Sequence, residues 1–119
     1  MNVLAIGAHP DDVEIACSGT LAKCVKRGDK VIVCHASTGN LGHVVIPPDE
    51  LTKIRAEEAK KAGGLAGIEV IGGMFDDLNI FDGNKAARDK LVDVIKYAQP
   101  DFIITHNPDD YMPDHTAVS

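Results

Sequence analysis

Apolar residues follow two alternating patterns along the chain. Short, almost continuous apolar runs, such as residues 3–8, are typical of strands that are buried on both faces. Longer stretches with an apolar residue every three or four positions are typical of helices with one buried face. The predicted strands cover residues 3–8, 31–36, 68–74 and 101–106. The predicted helices cover residues 13–27 and 50–66, and a third helix is capped by Asn84 and reaches residue 98.

Strands that alternate with helices predict an α/β fold with a Rossmann-like, doubly wound parallel sheet. Right-handed crossovers favour the strand order 3-2-1-4. In that order the first and fourth strands are neighbours where the winding of the sheet reverses, and ligands bind beyond the carboxyl ends of such strands. Loops 37–48 and 75–83 are predicted to contribute to ligand recognition.

Length and charge restrict the classes of function. The 119 residues predict one domain, and the net charge of −6, with no cluster of basic residues, argues against nucleic-acid binding. No apolar run reaches the ~20 residues of a membrane span, and the N-terminus lacks the cationic start of a signal peptide. Three cysteines without a Cys-x-x-Cys pair indicate a reducing compartment, the cytoplasm.

The first polar cluster lies where the first strand gives way to a helix. Residues 8–14 read Ala-His-Pro-Asp-Asp-Val-Glu. Adjacent aspartates point in different directions, so one can bind a metal while the other handles protons. An aspartate at a helix start is also an ordinary cap, which accounts for one of the two carboxylates but not for the whole motif.

The second polar cluster follows the fourth strand. Residues 105–115 read Thr-His-Asn-Pro-Asp-Asp-Tyr-Met-Pro-Asp-His. Catalytic zinc sites use three protein ligands and one water, and two histidines with one carboxylate form a known ligand set. One histidine and one aspartate from the first cluster with one histidine from the second fit that count.

These motifs resemble the PIG-L / LmbE-like family of zinc-dependent N-deacetylases, which act on N-acetylglucosamine-type sugars. The resemblance rests on the residues 8–14 motif, on Arg55-x-x-Glu58, on Pro100-Asp101, and on Asp-Tyr-x-Pro-Asp-His at 110–115. It covers nearly the whole chain in the order of the family's motifs. It implies a metal-dependent hydrolase that removes an N-acetyl group from a small-molecule N-acetylated amino sugar.

The resemblance also implies roles for individual residues. His9, Asp12 and His115 become the ligands of zinc, or of another divalent ion such as Fe2+. Asp11 becomes the general base that activates the attacking water, and Asp114 is expected to orient a ligand histidine.

Residues outside the two clusters are assigned by the same resemblance. Arg55 is implied to face the substrate. Gly39 and Gly42 lie in a stretch similar to the family's glycine-containing loop and are expected to shape the site entrance.

One position departs from the family pattern. Many members read His-Pro-Asp-His where residues 112–115 of this chain read Met-Pro-Asp-His. The missing histidine is implied to stabilise the oxyanion, and the thioether of Met112 cannot donate a hydrogen bond. Losing one oxyanion donor typically costs ~100- to 1000-fold in rate. His106 and Tyr111 are the candidates for a replacement donor.

Several interpretations stay open at this point. His106 is either a ligand or a group that faces the substrate or supports a ligand, and residues 76–77 form either a solvated loop or the rim of the site. His35 is assigned a structural role. Two other functions compete: a Rossmann-like nucleotide-binding module, which the non-glycine first turn argues against, and a metal-binding fragment without turnover.

The end of the sequence lies close to the last motif. Residues 116–119 are expected to form the first turn of a helix, and family members continue beyond this point. We therefore expect a single deacetylase domain over 1–119 that is truncated at its C-terminal end. Apolar surface left uncovered near the fourth strand would favour a homo-oligomer.

Overall fold

The computed structural model describes residues 1–80 and 83–119, so residues 81–82 of the predicted loop 75–83 lie outside the described residues. The elements alternate between strands and helices, as the apolar pattern predicts. They are β1 (Asn2–Gly7), α1 (Asp12–Arg27), β2 (Lys30–Ser37), α2 (Pro48–Ala66), β3 (Glu69–Phe75), α3 (Lys85–Ala98), β4 (Phe102–Ile104) and α4 (Pro113–Val118).

The four strands form one parallel sheet in the order β3-β2-β1-β4. This confirms the predicted α/β class and the 3-2-1-4 order. The carboxyl ends of β1 and β4 therefore meet at the point where the winding reverses, and both polar clusters lie there.

Both faces of the sheet are covered by helices. One face packs against α3 and α4, with Leu4 and Val94 in the same buried cluster. The other face packs against α1, with Val3 and Leu21 in a second buried cluster. Because β1 is one of the two inner strands and both of its faces are buried, its residues are almost all apolar.

Two predicted boundaries at the site are wrong. β4 ends at Ile104 rather than at His106, because the amide of Ala8 donates to Nε2 of His106 at 2.9 Å instead of continuing the strand ladder. A helix begins at Pro113 rather than at residue 116, since proline suits the first helical position. His115 therefore lies in the first turn of α4.

Two adjacent glycines near the end of α2 have different functions. A Cβ on Gly63 would overlap Cγ2 of Val70 and would lie 2.8 Å from the carbonyl oxygen of Ile68. A Cβ on Gly64 would contact nothing within 4 Å. Gly63 therefore permits the close approach of α2 to β3, whereas Gly64 only weakens the helix.

Substituting these glycines separately should change stability in opposite directions. Gly63→Ala should lower the free energy of unfolding by about 1–3 kcal/mol, because the new methyl group overlaps Val70. Gly64→Ala should raise it by about 0.5–1 kcal/mol through helix propensity. Urea unfolding of both variants beside the wild type measures the difference. Equal effects of the two substitutions would contradict the packing assigned to Gly63.

Among residues 1–80 and 83–119, no helix combines the length and the apolar character needed to cross a bilayer.

Candidate metal centre and active site

Three of the predicted ligands meet beyond the carboxyl ends of β1 and β4. His9 follows β1, Asp12 opens α1, and His115 lies in the first turn of α4. Each offers one ligand atom, and these atoms all lie within 4.8 Å of one another. The three side chains are 13–16 % exposed, so they are shielded but reachable.

A buried carboxylate fixes the orientation of His9. Nε2 of His9 lies 2.9 Å from Oδ2 of Asp114, which is 2 % exposed. The same oxygen accepts the amide of Leu78 at 2.9 Å. A proton donated from Nε2 leaves the Nδ1 lone pair of His9 facing Asp12, 3.5 Å from its Oδ2. Asp114 therefore has the geometry of a group that orients a ligand histidine.

A second carboxylate orients His115 in the same way. Nδ1 of His115 lies 3.1 Å from Oδ2 of Asp110. Nε2 of His115 is buried and has no hydrogen-bond partner among the described residues. A buried nitrogen without a partner is costly, and a metal ion is a partner that suits it. The orphaned Nε2 shows that the residues present fit a metal.

Asp110 belongs to the motif at residues 110–115, but the sequence predicts no individual role for it. The amide of Met112 donates to its Oδ1 at 2.9 Å, which together with the contact to His115 holds the pKa of Asp110 below its ordinary value. The spacing of five residues between Asp110 and His115 crosses the start of α4. Because that helix start was misplaced in the prediction, the pair could not be recognised.

Asp12 lies between the histidines. Its Oδ2 accepts the amide of His9 at 2.8 Å, and its Oδ1 lies 3.4 Å from Nε2 of His115. Burial opposes ionisation of Asp12, but the hydrogen bonds from the side chain and amide of His9 outweigh it and hold the pKa well below its ordinary range. Without a metal, the same pairing raises the pKa of His9 to about 9, so Nδ1 holds a proton that a bound metal ion would displace. Asp12 therefore presents a full negative charge to a cation.

Asp11 stands at the N-cap position of α1 but makes no side-chain capping hydrogen bond. The ordinary capping interpretation of this aspartate is therefore not supported. Its side chain is exposed and lines the pocket beside the three candidate ligands. The first turn of α1 thus separates two adjacent carboxylates, with Asp12 turned to the histidines and Asp11 free to meet a substrate.

His106 packs beside this cluster, against the ring of His115. Its Nε2 accepts the amide of Ala8 at 2.9 Å, and its ring stacks on His115 with centroids 4.0 Å apart. Burial and the neighbouring His115 lower the pKa of His106, in agreement with a neutral ring whose Nε2 accepts. His106, Asp110 and His115 form a second geometric triplet. Because Nε2 of His106 already accepts the Ala8 amide, Nδ1 of the neutral ring carries the proton and neither nitrogen is free. The set of His9, Asp12 and His115 therefore suits a metal better.

The three candidate ligands open into a pocket of about 410 Å³. Its other walls carry Gly39 and Gly42, predicted to shape the entrance, and Arg55 and Tyr111, predicted to face the substrate. Met112, which replaces the family histidine, also lines the pocket. A larger cleft of about 610 Å³ lies between α2 and β3 and shares Pro10 and Arg55 with the pocket. None of the metal-ligand candidates lines that cleft, so the chemistry belongs to the smaller pocket.

Two further predictions concern His35 and residues 76–77. His35 is buried, and its Nε2 lies 3.1 Å from Oε1 of Glu14, which joins the first turn of α1 to β2 as the structural assignment expects. The open question about residues 76–77 has a different answer for each residue: Asp77 lines the pocket, whereas Asp76 is exposed and does not line it.

Residues 4–119 match the protein family described as PIG-L, GlcNAc-PI de-N-acetylase. The chain belongs to this family. The PIG-L match covers both polar clusters, and PIG-L deacetylases are metal-dependent, in agreement with the cluster of histidine and aspartate side chains.

Relatives of this PIG-L chain act on several substrates. A 1D-myo-inositol 2-acetamido-2-deoxy-alpha-D-glucopyranoside deacetylase of Corynebacterium diphtheriae is 31 % identical over 94 % of this chain and 47 % of its own length. The N,N'-diacetylchitobiose deacetylase of Pyrococcus horikoshii superposes with a TM-score of 0.88 and 27 % identity, over 97 % of this chain and 45 % of its own.

A third relative carries out a different reaction. GalB of Pseudomonas putida, a 4-carboxy-2-hydroxymuconate hydratase, superposes with a TM-score of 0.86 and 26 % identity, over 97 % of this chain and 51 % of its own. The chain thus spans about half the length of the relatives it matches.

Proposed function

We propose that this protein hydrolyses the N-acetyl group of an N-acetylglucosamine-type sugar or conjugate, with zinc held by His9, Asp12 and His115. The buried Nε2 of His115, which has no hydrogen-bond partner among the described residues, carries the proposal. In each histidine the second ring nitrogen contacts a carboxylate: Nε2 of His9 contacts Asp114, and Nδ1 of His115 contacts Asp110. That arrangement leaves one lone pair of each histidine directed at Asp12. The deacetylases among the relatives support the substrate class.

Zinc, when bound, supplies a Lewis acid that polarises the acetamide carbonyl and lowers the pKa of a water to ~7. Asp11 takes the proton of the attacking water, since its carboxylate has no capping bond and lies in the pocket. The same group then returns the proton to the departing amine. Acetate and a free amino sugar result.

The remaining pocket residues bind the substrate and its transition state. Arg55 pairs with Glu58 at 2.7 Å and keeps further guanidinium donors for sugar hydroxyls. Met112 stands where the family pattern has a histidine. Tyr111 lines the pocket and His106 does not, so Tyr111 is the better candidate for the missing oxyanion donor.

Restoring the family histidine should raise the rate. Met112→His places a donor in the pocket lining, and we expect kcat to rise at least about tenfold, since one oxyanion donor is worth ~100- to 1000-fold in an optimised site. Acetate release measured over a range of substrate concentrations separates kcat from KM. Met112→Leu serves as the matched control and should leave kcat within about threefold. An equal response of the two variants would show that the oxyanion already has its full set of donors.

The likeness to the hydratase favours one second candidate. The same ligand set and the same general base can activate water for addition to a carbon–carbon double bond. The residues at the metal do not distinguish the two reactions, because both need an activated water. Substrate chemistry does, since a hydratase acts on unsaturated carboxylates and the proposed enzyme acts on acetamides.

A substrate panel tests the proposed reaction. The zinc-loaded protein is incubated with N-acetylglucosamine, its conjugates and chito-oligosaccharides, and released acetate is measured beside the hydration of an unsaturated dicarboxylate. We expect acetate from at least one N-acetyl sugar. Hydration without acetate release would favour the second candidate, and zinc binding with neither product would favour a metal-binding fragment.

Two further properties stay predictions. A cytoplasmic location fits Cys17, Cys24 and Cys34, all of which are free thiols. A homo-oligomer fits the partly exposed Phe102 and Ile103 of β4, an edge strand of the sheet.

A further inference from the structure

The carboxylate of Asp77 holds the backbone of a neighbouring loop. Its Oδ1 accepts the amide of Gly39 at 2.9 Å, and its Oδ2 accepts the amide of Leu41 at 3.1 Å. Gly39 and Leu41 belong to the loop that follows β2, and both line the pocket. Both oxygens of Asp77 are therefore engaged with the wall of the pocket.

Asn40, in the loop after β2, makes two further hydrogen bonds to the segment after β3. Its Oδ1 accepts the amide of Asp77 at 3.0 Å, and its Nδ2 donates to Oδ1 of Asp76 at 3.0 Å. Four hydrogen bonds thus join residues 39–41 to residues 76–77, and we call this group the loop clasp. It connects the segment after β2 to the segment after β3 at the carboxyl ends of the strands, where the site lies.

The residue after the loop clasp reaches the metal site. Leu78 has a φ of +60°, a left-handed conformation that leucine rarely adopts. Its amide donates to Oδ2 of Asp114, the same oxygen that receives Nε2 of His9. Two consecutive residues therefore contact both parts of the site: Asp77 holds the pocket wall, and Leu78 holds Asp114, the carboxylate that contacts His9.

We propose that Asp77 is a positioning residue of this enzyme: it holds residues 39–41 in the conformation in which they form the substrate-facing wall of the pocket. Gly39 is buried against Pro10 and Arg55, so packing holds one end of the wall. Leu41 is 53 % exposed, so the position of its backbone depends mainly on the hydrogen bond to Asp77. The kinetic part of this inference rests on the proposed deacetylase function, whereas the conformational part does not.

The chemistry of the two adjacent aspartates supplies a matched pair of variants. Asp77 needs an acceptor on both side-chain oxygens, and an asparagine offers only one, with its NH2 group facing a backbone N–H. Asp76 needs one acceptor for Asn40, which an asparagine still provides. The same substitution should therefore break the clasp at residue 77 and leave it intact at residue 76.

Hydrogen exchange in the zinc-loaded protein tests the conformational part without any turnover. In Asp77→Asn, the amides of Gly39 and Leu41 should exchange about ten- to a hundredfold faster, because one amide loses its acceptor and the other exchanges a charged acceptor for a neutral one. In Asp76→Asn, their exchange should stay within about threefold of the wild type. Unchanged exchange in Asp77→Asn would overturn the proposal, whatever the activity of the protein.

Steady-state kinetics test whether the conformation of residues 39–41 affects substrate binding. KM should rise about tenfold in Asp77→Asn, with kcat and zinc affinity within about threefold of the wild type. Asn40→Ala, which keeps Asp77 but removes its partner, should raise KM in the same direction. A KM raised by Asp77→Asn but not by Asn40→Ala would mean that Asp77 binds the sugar directly, and this would overturn a positioning role.

Discussion

Asp11→Asn should lower kcat for acetate release about 10²- to 10⁴-fold and leave zinc affinity unchanged. The asparagine side chain has nearly the same shape but cannot take a proton from the attacking water. Asp11 is exposed in the pocket and makes no capping bond, so the substitution should not disturb α1. The loss should therefore appear in the chemical step alone.

Steady-state kinetics on the zinc-loaded variant measure this effect. Asp109→Asn is the matched control, because Asp109 is exposed in the second cluster and does not line the pocket. The control should keep kcat within about threefold. A fully active Asp11→Asn protein would show that another group takes the proton.

Asp12→Asn should weaken zinc binding at least about 100-fold. The substitution removes the one negative charge among the three candidate ligands, and the low pKa of Asp12 shows how strongly the site favours its ionised form. Losing a group that only supports a ligand typically costs about 10- to 100-fold in metal affinity. A loss of the ligand itself should exceed that range.

Asp110→Asn provides the comparison for this prediction. Asp110 contacts Nδ1 of His115 and not the ligand atoms, so its loss should weaken zinc binding by less than that of Asp12. Competition with a chelator of known zinc affinity measures both variants. If Asp110→Asn weakened binding more than Asp12→Asn, the triplet of His106, Asp110 and His115 would become the better candidate for the metal site.

The elements and their order could be predicted because they depend on patterns that are local in sequence. An apolar run such as 3–8 reports a strand buried on both faces, and right-handed crossovers then leave few arrangements of four parallel strands. The family motifs add the identity of His9, Asp12 and His115. Their convergence follows from the strand order, since it places the ends of β1 and β4 side by side.

The parts that could not be predicted depend on contacts between distant segments. The bond from the amide of Ala8 to His106 ends β4 early, and no local pattern reports it. The loop clasp joins Asn40 to Asp77 across 37 residues. Which nitrogen of each histidine is free depends on Asp114 and Asp110, and these pairings exist only once α4 has been placed.

Removal and return of the metal test the central claim most directly. The protein is stripped with a chelator, and acetate release from the best sugar of the panel is measured while zinc is added back. We predict activity at background in the stripped protein and full activity at one zinc per chain, with no recovery at that ratio in Asp12→Asn. Full acetate release by the stripped protein, or recovery in Asp12→Asn equal to that of the wild type, would contradict a metal-dependent deacetylase centred on His9, Asp12 and His115.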